Sequence, residues 1–270
     1  CNVQGRTMTA TFGLIRFSGD KTLSVIQGQC TQMVTNLTEG SSPLLAFCDP
    51  KGRMYGSGRL VIHQNTVSMI TPIDQSEMML KKLRPFMALS RVSIEMTTIP
   101  VALTRDPDLE PSQSHHGSLI TRVGEYGGTQ WMIGDINAAH DPLADCQRIE
   151  AGLGYVRSYS SEQFIPQQVH YQMRDGVNFK KGCYTGQEVI ARLEHLGKNK
   201  RCVWIYKGAK SIKNGTIILD DQTLPVFDAA DTNKSITALV LASVDCKSEQ
   251  LIGVPFEISR QVEGQRPIKL

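Results

Sequence analysis

Short apolar runs punctuated by turn residues follow one another along the chain, and two periods organise them. FGLIRF at residues 12–17 predicts a strand, while Leu23 and Ile26, three apart after Gly19, predict a short helix stopped by Gly28. Residues 44–47, 60–62, 67–70 and 92–96 predict further strands, several with alternation. Asp74 followed by Glu77 predicts a helix running to about Leu83, ahead of Pro85. Residues 119–123 and 130–133 add two strands, and Asp141-Pro142 opens a helix that Gly152 ends. These elements mix without the regular strand–helix alternation of a parallel sheet, which points to α+β. After Gly197 no helical period survives. Residues 202–206, 216–219, 224–227, 236–244 and 253–258 are apolar runs between turn residues, the pattern of a small β-barrel or sandwich. The expected organisation is an α+β region over 1–197 and a small β-barrel or sandwich over 198–270.

Composition narrows the class. At 270 residues, 40% hydrophobic and 20% charged, the chain is neither disordered, collagen-like nor a small disulfide scaffold. A chain this long buries enough surface to need no metal or disulfide staple. No apolar stretch approaches the ~20 residues of a membrane span, and no basic-then-apolar signal segment opens the sequence. A cytoplasmic protein without membrane attachment is therefore expected; a start at Cys1 is that of a processed lipoprotein or, the expected reading, of a trimmed chain whose natural start is Met8. Seven cysteines, an odd number without a C-x-x-C pair, argue against a disulfide framework or a zinc ribbon and for reduced thiols. The sequons at Asn36, Asn214 and Asn233 carry no meaning without a secretory route. Net charge is only +3, but residues 174–213 hold ten lysines and arginines against three acidic residues. A basic segment in an otherwise slightly acidic chain suits an anionic partner such as RNA, or is a solvated face.

The segment with most chemistry is Phe179-Lys180-Lys181-Gly182-Cys183-Tyr184-Thr185-Gly186-Gln187-Glu188. Thr185 and Glu188 have capping-box spacing, and Val189, Ile190, Leu193 and Leu196 follow at helical spacing until Gly197. Cys183 thus precedes a helix N-terminus, with Lys180 and Lys181 close by in sequence. Both features favour negative charge at the sulfur. A lone cysteine is otherwise a small buried hydrophobe.

K-G-C-Y-T-G-Q-E closely resembles the signature of the YgfZ-type folate-binding proteins. The likeness extends to Gln163-Phe164-Ile165-Pro166-Gln167, Ala191-Arg192 and Gly197-Lys198-Asn199-Lys200-Arg201, and upstream to Gly28-Gln29 and Cys48-Asp49-Pro50-Lys51-Gly52-Arg53. Arg148-Ile149-Glu150-Ala151-Gly152 is similar to a stretch shared with the aminomethyltransferase of the glycine cleavage system. The resemblance implies a three-lobed ring around a folate-sized channel, with two interleaved lobes over 1–197 and a C-terminal β-barrel over 198–270. It implies tetrahydrofolate as cofactor, and Phe12, Ala144 and Glu150 as cofactor-binding positions. Phe12 and Ala144 stand where close relatives carry tryptophan; Phe12 keeps a stacking face and Ala144 does not. Glu150 suits the donor edge of a pterin, or is a salt-bridge residue near Arg148. Cys183 is the expected functional thiol, with Lys181, Tyr184 and Glu188 in support.

The function implied is that of an accessory protein, expected as a monomer, for iron–sulfur enzymes, including those that thiolate tRNA. The alternatives are a tetrahydrofolate-dependent one-carbon transferase or demethylase, and an RNA-binding module using the basic segment. No metal site is expected. His115-His116 sits in a polar stretch that reads as an exposed loop, without a third ligand at useful spacing. His195 lies too far along its helix to serve the thiol, and the glycines at 52, 56 and 58 lack the G-K-[ST] of a phosphate loop.

Overall fold

A computed structural model describes residues 11–63, 66–105, 109–137, 139–232 and 234–255. Cys1, Met8, Asn233 and residues 256–258 of the last predicted run lie outside them. The first sheet has the order β2-β3-β4-β1-β5. Its strands are β1 (Phe12–Ser18), β2 (Leu44–Cys48), β3 (Met54–His63), β4 (Thr66–Pro72) and β5 (Ser93–Met96). All pair antiparallel, with Leu14 opposite Ile70 and Arg59 opposite the same residue from the other side. Alternate residues of β1 enter different cores. Ile15 and Phe17 pack with Met79, Leu83 and Met87 of helix α2 (Ile73–Leu89). Phe12 and Leu14 pack with Leu103, Val123 and Trp131 of the second sheet. Both faces being covered, β1 reads as a continuous apolar run rather than an alternation.

Helix α1 (Thr22–Gln27) ends at Gly28, and α2 begins at Ile73. Asp74 does not cap α2; its carboxylate accepts from the Ser158 amide at 3.0 Å and hydroxyl at 2.9 Å. Nor does Pro85 stop it. The proline lies on the exposed face, while Leu83 and Met87, four apart, keep the last turn on the core.

The second sheet, ordered β6-β9-β8-β7, comprises β6 (Val101–Arg105), β7 (Ser114–His116), β8 (Ile120–Glu125) and β9 (Thr129–Gly134). Its β6 and β7 were not predicted, and His115-His116 is an edge strand rather than a loop. Helix α3 (Pro142–Glu150) has Asp141 as N-cap, accepting from the Leu143 amide at 2.9 Å, and Gly152 follows it at φ +79°. Two 3-10 turns, Pro166–Val169 and Tyr171–Arg174, lead to α4 (Gln187–Leu196).

The third sheet, ordered β11-β12-β13-β10-β14, comprises β10 (Arg201–Gly208), β11 (Thr216–Leu219), β12 (Gln222–Asp231), β13 (Ile236–Ser243) and β14 (Leu251–Ile252). Among the described residues no pairing joins β11 to β14, so the expected barrel is here an open antiparallel sheet. The last strand falls at Leu251–Ile252, just before the predicted run.

Two buried arginines, each ion-paired, tie the layers together. Arg59 of β3 grips Glu125 at the end of β8, which also accepts from Trp131 Nε1 at 2.9 Å and from the Tyr155 hydroxyl. Burial alone would raise the Glu125 carboxyl; the guanidinium and these donors outweigh it and hold the carboxyl below its ordinary value. Arg148 of α3 reaches Asp145 at 3.0 Å and Asp228 of β12 at 2.9 Å. Removing one partner from such a pair typically costs about 3–5 kcal/mol, because the other charge is left buried and unpaired.

Candidate functional site

The Cys183 loop is held by backbone from several distant segments. Thr185 donates from its amide to Gly28 O at 3.3 Å and from its hydroxyl to Gln29 Oε1 at 3.2 Å. The amide of Asn178 reaches Thr31 O at 2.9 Å, and Thr31 Oγ1 donates to Gly176 O at 2.6 Å. The start of α4 sits on the β2–β3 turn. There Asp49 Oδ1 accepts from the amides of Lys51 and Arg53, both at 2.8 Å, and Gly52 turns the chain at φ +73°. A Cβ at Gly52 would lie 3.2 Å from Val189 and 3.3 Å from Ile190. On the far side Gln167 Nε2 donates to Ile190 O at 2.7 Å, and Asn199 Nδ2 donates to Gln167 O at 3.0 Å. The sequence pieces that resemble one family thus converge on one place.

Cys183 itself is exposed, the only exposed cysteine among the described residues. Gln187 Nε2, from the first residue of the helix, lies 3.6 Å from its sulfur. The predicted capping box does not form. Gly186 is the N-cap of α4 at φ +85°, Thr185 is committed to Gln29, and Glu188 is exposed in the first turn. Gln187 reaches back instead, its Oε1 accepting from the Tyr184 amide at 3.2 Å.

Lys181 has partners the sequence did not indicate. Its side chain turns inward, and Nζ donates to Gln27 O at 2.6 Å, Cys30 O at 2.6 Å and Gln32 O at 3.0 Å, with Cys30 Sγ at 3.9 Å. Burial lowers its pKa, opposed by the neighbouring Cys30. Burial raises the Cys30 thiol, with Lys181 pulling the other way. The Tyr184 ring lies under the ammonium, 4.7 Å from Nζ to centroid, and burial raises its phenol. Three carbonyls and an aromatic face make this a structural cation that locks residues 27–32 to the Cys183 loop.

The positions implied for a cofactor lie elsewhere. Phe12 and Ala144 share the core between the first two sheets, and Phe12 is only 2% exposed. Its ring meets Trp131 at 4.6 Å and Tyr155 at 5.5 Å between centroids, with Arg148 and Arg157 over its faces. Glu150 pairs with Lys207 of β10 at 2.9 Å, joining α3 to the third sheet as a partly exposed ion pair. As placed, these three residues do not form an open pterin cradle: two have no free face, and the carboxylate is already paired. His195 is exposed and edge-on to Phe179. In the basic segment Arg174 and Lys181 are buried and Lys207 is paired, while Arg192, Lys198 and Lys200 are exposed. Gln29, Gln187 and the Asp49 turn carry much of the loop's geometry; the motif pieces were visible in sequence, but not that they touch.

Three antiparallel sheets with these connections define an aminomethyltransferase-like fold. The glycine cleavage system aminomethyltransferase T of Bartonella henselae matches it with a TM-score of 0.62, over 91% of this chain and 84% of that one, at 12% identity. That likeness is one of fold alone. No family model matches the chain. In sequence, the tRNA-modifying protein YgfZ of Enterobacter sp. (strain 638) is 30% identical, covering 74% of this chain and 71% of that protein. The protein of the same name from Shigella boydii serotype 18 matches with the same identity and coverage. The chain belongs to the YgfZ family.

The described residues include no helix long and apolar enough to cross a membrane.

Proposed function

We propose that this protein is a cytoplasmic, folate-binding accessory factor that supports iron–sulfur enzymes of tRNA modification, with Cys183 as its functional thiol. The observation that carries the reading is the presentation of Cys183. An exposed sulfur stands ahead of a helix N-terminus, on a loop whose partners are the other segments of the family pattern. Relatives named for tRNA modification support the process, and the aminomethyltransferase-like fold supports folate. In this reading tetrahydrofolate binds in a central channel between the lobes, with Phe12, Ala144 and Glu150 as the positions to probe. No step of the chemistry is assigned to it.

A thiol in this position has two chemical capacities: nucleophilic attack and ligation of a soft metal. Gln187 Nε2 is placed to donate to the sulfur, Tyr184 and Lys181 act by positioning, and Glu188, exposed in the first turn, is a position to probe. The test uses deletion cells carrying the wild-type protein, Cys183→Ala or Cys183→Ser at matched levels, with thiolated tRNA measured by mass spectrometry. Both variants should fail to restore thiolation while melting like the wild type. Serine keeps the size but is far less acidic and a poor soft-metal ligand. Full rescue by both would make Cys183 structural and end this reading. Calorimetry with tetrahydrofolate, on the wild type and on Phe12→Ala, tests the cofactor separately.

A further inference from the structure

We propose that Glu39, His63 and His116 form a binding site for a divalent first-row transition ion of the Zn²⁺ class. One ligand atom from each lies within 4.8 Å of the others. They come from three segments far apart in sequence: the connection before β2, the end of β3, and the edge strand β7. Backbone contacts pin these segments together, with Ser114 N donating to Gly40 O at 2.8 Å and Ser41 bridged to Gln113. His63 Nδ1 lies 2.7 Å from Glu39 Oε1, and the two imidazoles stack at 4.2 Å between centroids, 14° from parallel.

Zinc bonds of about 2.0–2.2 Å place neighbouring tetrahedral ligand atoms roughly 3.3 Å apart. Ligand atoms within 4.8 Å of one another close by up to about 1.5 Å to reach that geometry, and these side chains have room to move, since His63 is 34% and Glu39 55% exposed. The ion takes the place of the proton between Glu39 and His63, and the rings tilt from parallel so that their lone pairs meet. His116 is prepared for the role. Its Nδ1 contacts Thr121 Oγ1 at 3.1 Å and its Nε2 contacts Ser114 Oγ at 3.0 Å. Whichever nitrogen binds the ion, the other keeps a hydroxyl that fixes the ring, the usual supporting contact of a metal-bound histidine.

Two imidazoles and one carboxylate suit Zn²⁺ and its neighbours over Mg²⁺ or Ca²⁺, which prefer oxygen, and three protein ligands leave a coordination position open. Space adjoins the cluster. His63 also lines a cavity of about 220 Å³ with Leu14, Arg16, Val61 and Thr121, in which Arg16 Nε is buried without a hydrogen-bond partner. A water or small anion on the ion would have room there.

The experiment titrates tag-free full-length protein with Zn²⁺ by calorimetry and with Co²⁺ by absorption. We expect one ion per chain at micromolar or tighter Kd, undisturbed by excess Mg²⁺. The Co²⁺ complex should show visible bands and no sulfur-to-cobalt band. Glu39→Gln, His63→Ala and His116→Ala should each weaken Zn²⁺ at least about tenfold, the scale on which even supporting contacts act. Glu39→Gln keeps shape at an exposed position, so it tests the site even if a histidine variant unfolds. Zn²⁺ binding that is absent, unchanged in Glu39→Gln, or accompanied by a sulfur-to-cobalt band would overturn the proposal.

Discussion

Lys181 and Cys183 are two residues apart and face opposite worlds. The sulfur is exposed, while the ammonium is buried on three carbonyls. Iodoacetamide labelling read by peptide mass spectrometry should therefore mark Cys183 before Cys30, Cys48 or Cys146, all buried with thiols raised by burial. Labelling of Cys48 ahead of Cys183 would contradict the placement. In Lys181→Met the carbonyls of Gln27, Cys30 and Gln32 lose their donor. An unsatisfied buried group costs about 1–3 kcal/mol, so the melting temperature should fall and Cys30 should label sooner. The special character of Cys183 was legible from its motif. The destination of Lys181 was not, because its partners lie at residues 27–32 and nothing in local spacing points there.

At the level of elements, sequence served best where a local rule stood unopposed. Asp141-Pro142 started α3, and Gly28 and Gly197 bounded α1 and α4. It failed where tertiary contacts took the local partner away. Thr185 had the right spacing for a capping box, but Gln29 holds its hydroxyl, and Gly186 makes the entry at positive φ. Pro85 looked like a stop, but Met87 behind it has a core to fill. Strand β7 is short and polar, so it has no apolar period to read, and its recognition depends on pairing with β8. Gly186→Ala tests the helix entry. Its Cβ would stand 2.5 Å from Asp49 O with the backbone at φ +85°. Strain of this kind costs about 1–3 kcal/mol, which urea denaturation should register as a lower midpoint with unchanged slope.

For the molecule as a whole, the α+β class followed from the order of strands and helices, whereas the joints between sheets were invisible. Arg59 and Glu125, or Arg148 and Asp228, are charges that sequence alone assigns to the surface. Each is buried only because its partner arrives from another element, Glu125 from the second sheet and Arg148 from helix α3. His170 is a joint of a subtler kind. It sits between the two 3-10 turns in a left-handed conformation, bonded to the Val203 backbone of β10. Burial lowers its pKa from the ordinary 6.5 to about 4. The unfolded chain then takes up a proton first as pH falls, so stability contributed by the neutral ring is lost between pH 6.5 and 4. The full effect is roughly 3 kcal/mol at 1.36 kcal/mol per unit. His170→Asn tolerates the left-handed backbone and cannot titrate, so its denaturation midpoint should depend less on pH across that range. An unchanged pH dependence would mean that the ring is not held neutral at this joint.

The clamp formed by Lys181 also has a dimension in time. Its ammonium is separated from its three carbonyl partners by 154, 151 and 149 positions. A ribosome adding 5–20 residues per second delivers the lysine roughly 10–30 s after that stretch has been made. During this interval the nascent chain carries residues 27–32 without the cation that later binds their carbonyls. The loop bearing Cys183 emerges together with its own latch. Presentation of Cys183 and closure of the Lys181 clamp on residues 27–32 are therefore a single late event in biogenesis, and a chain released before that event would lack both.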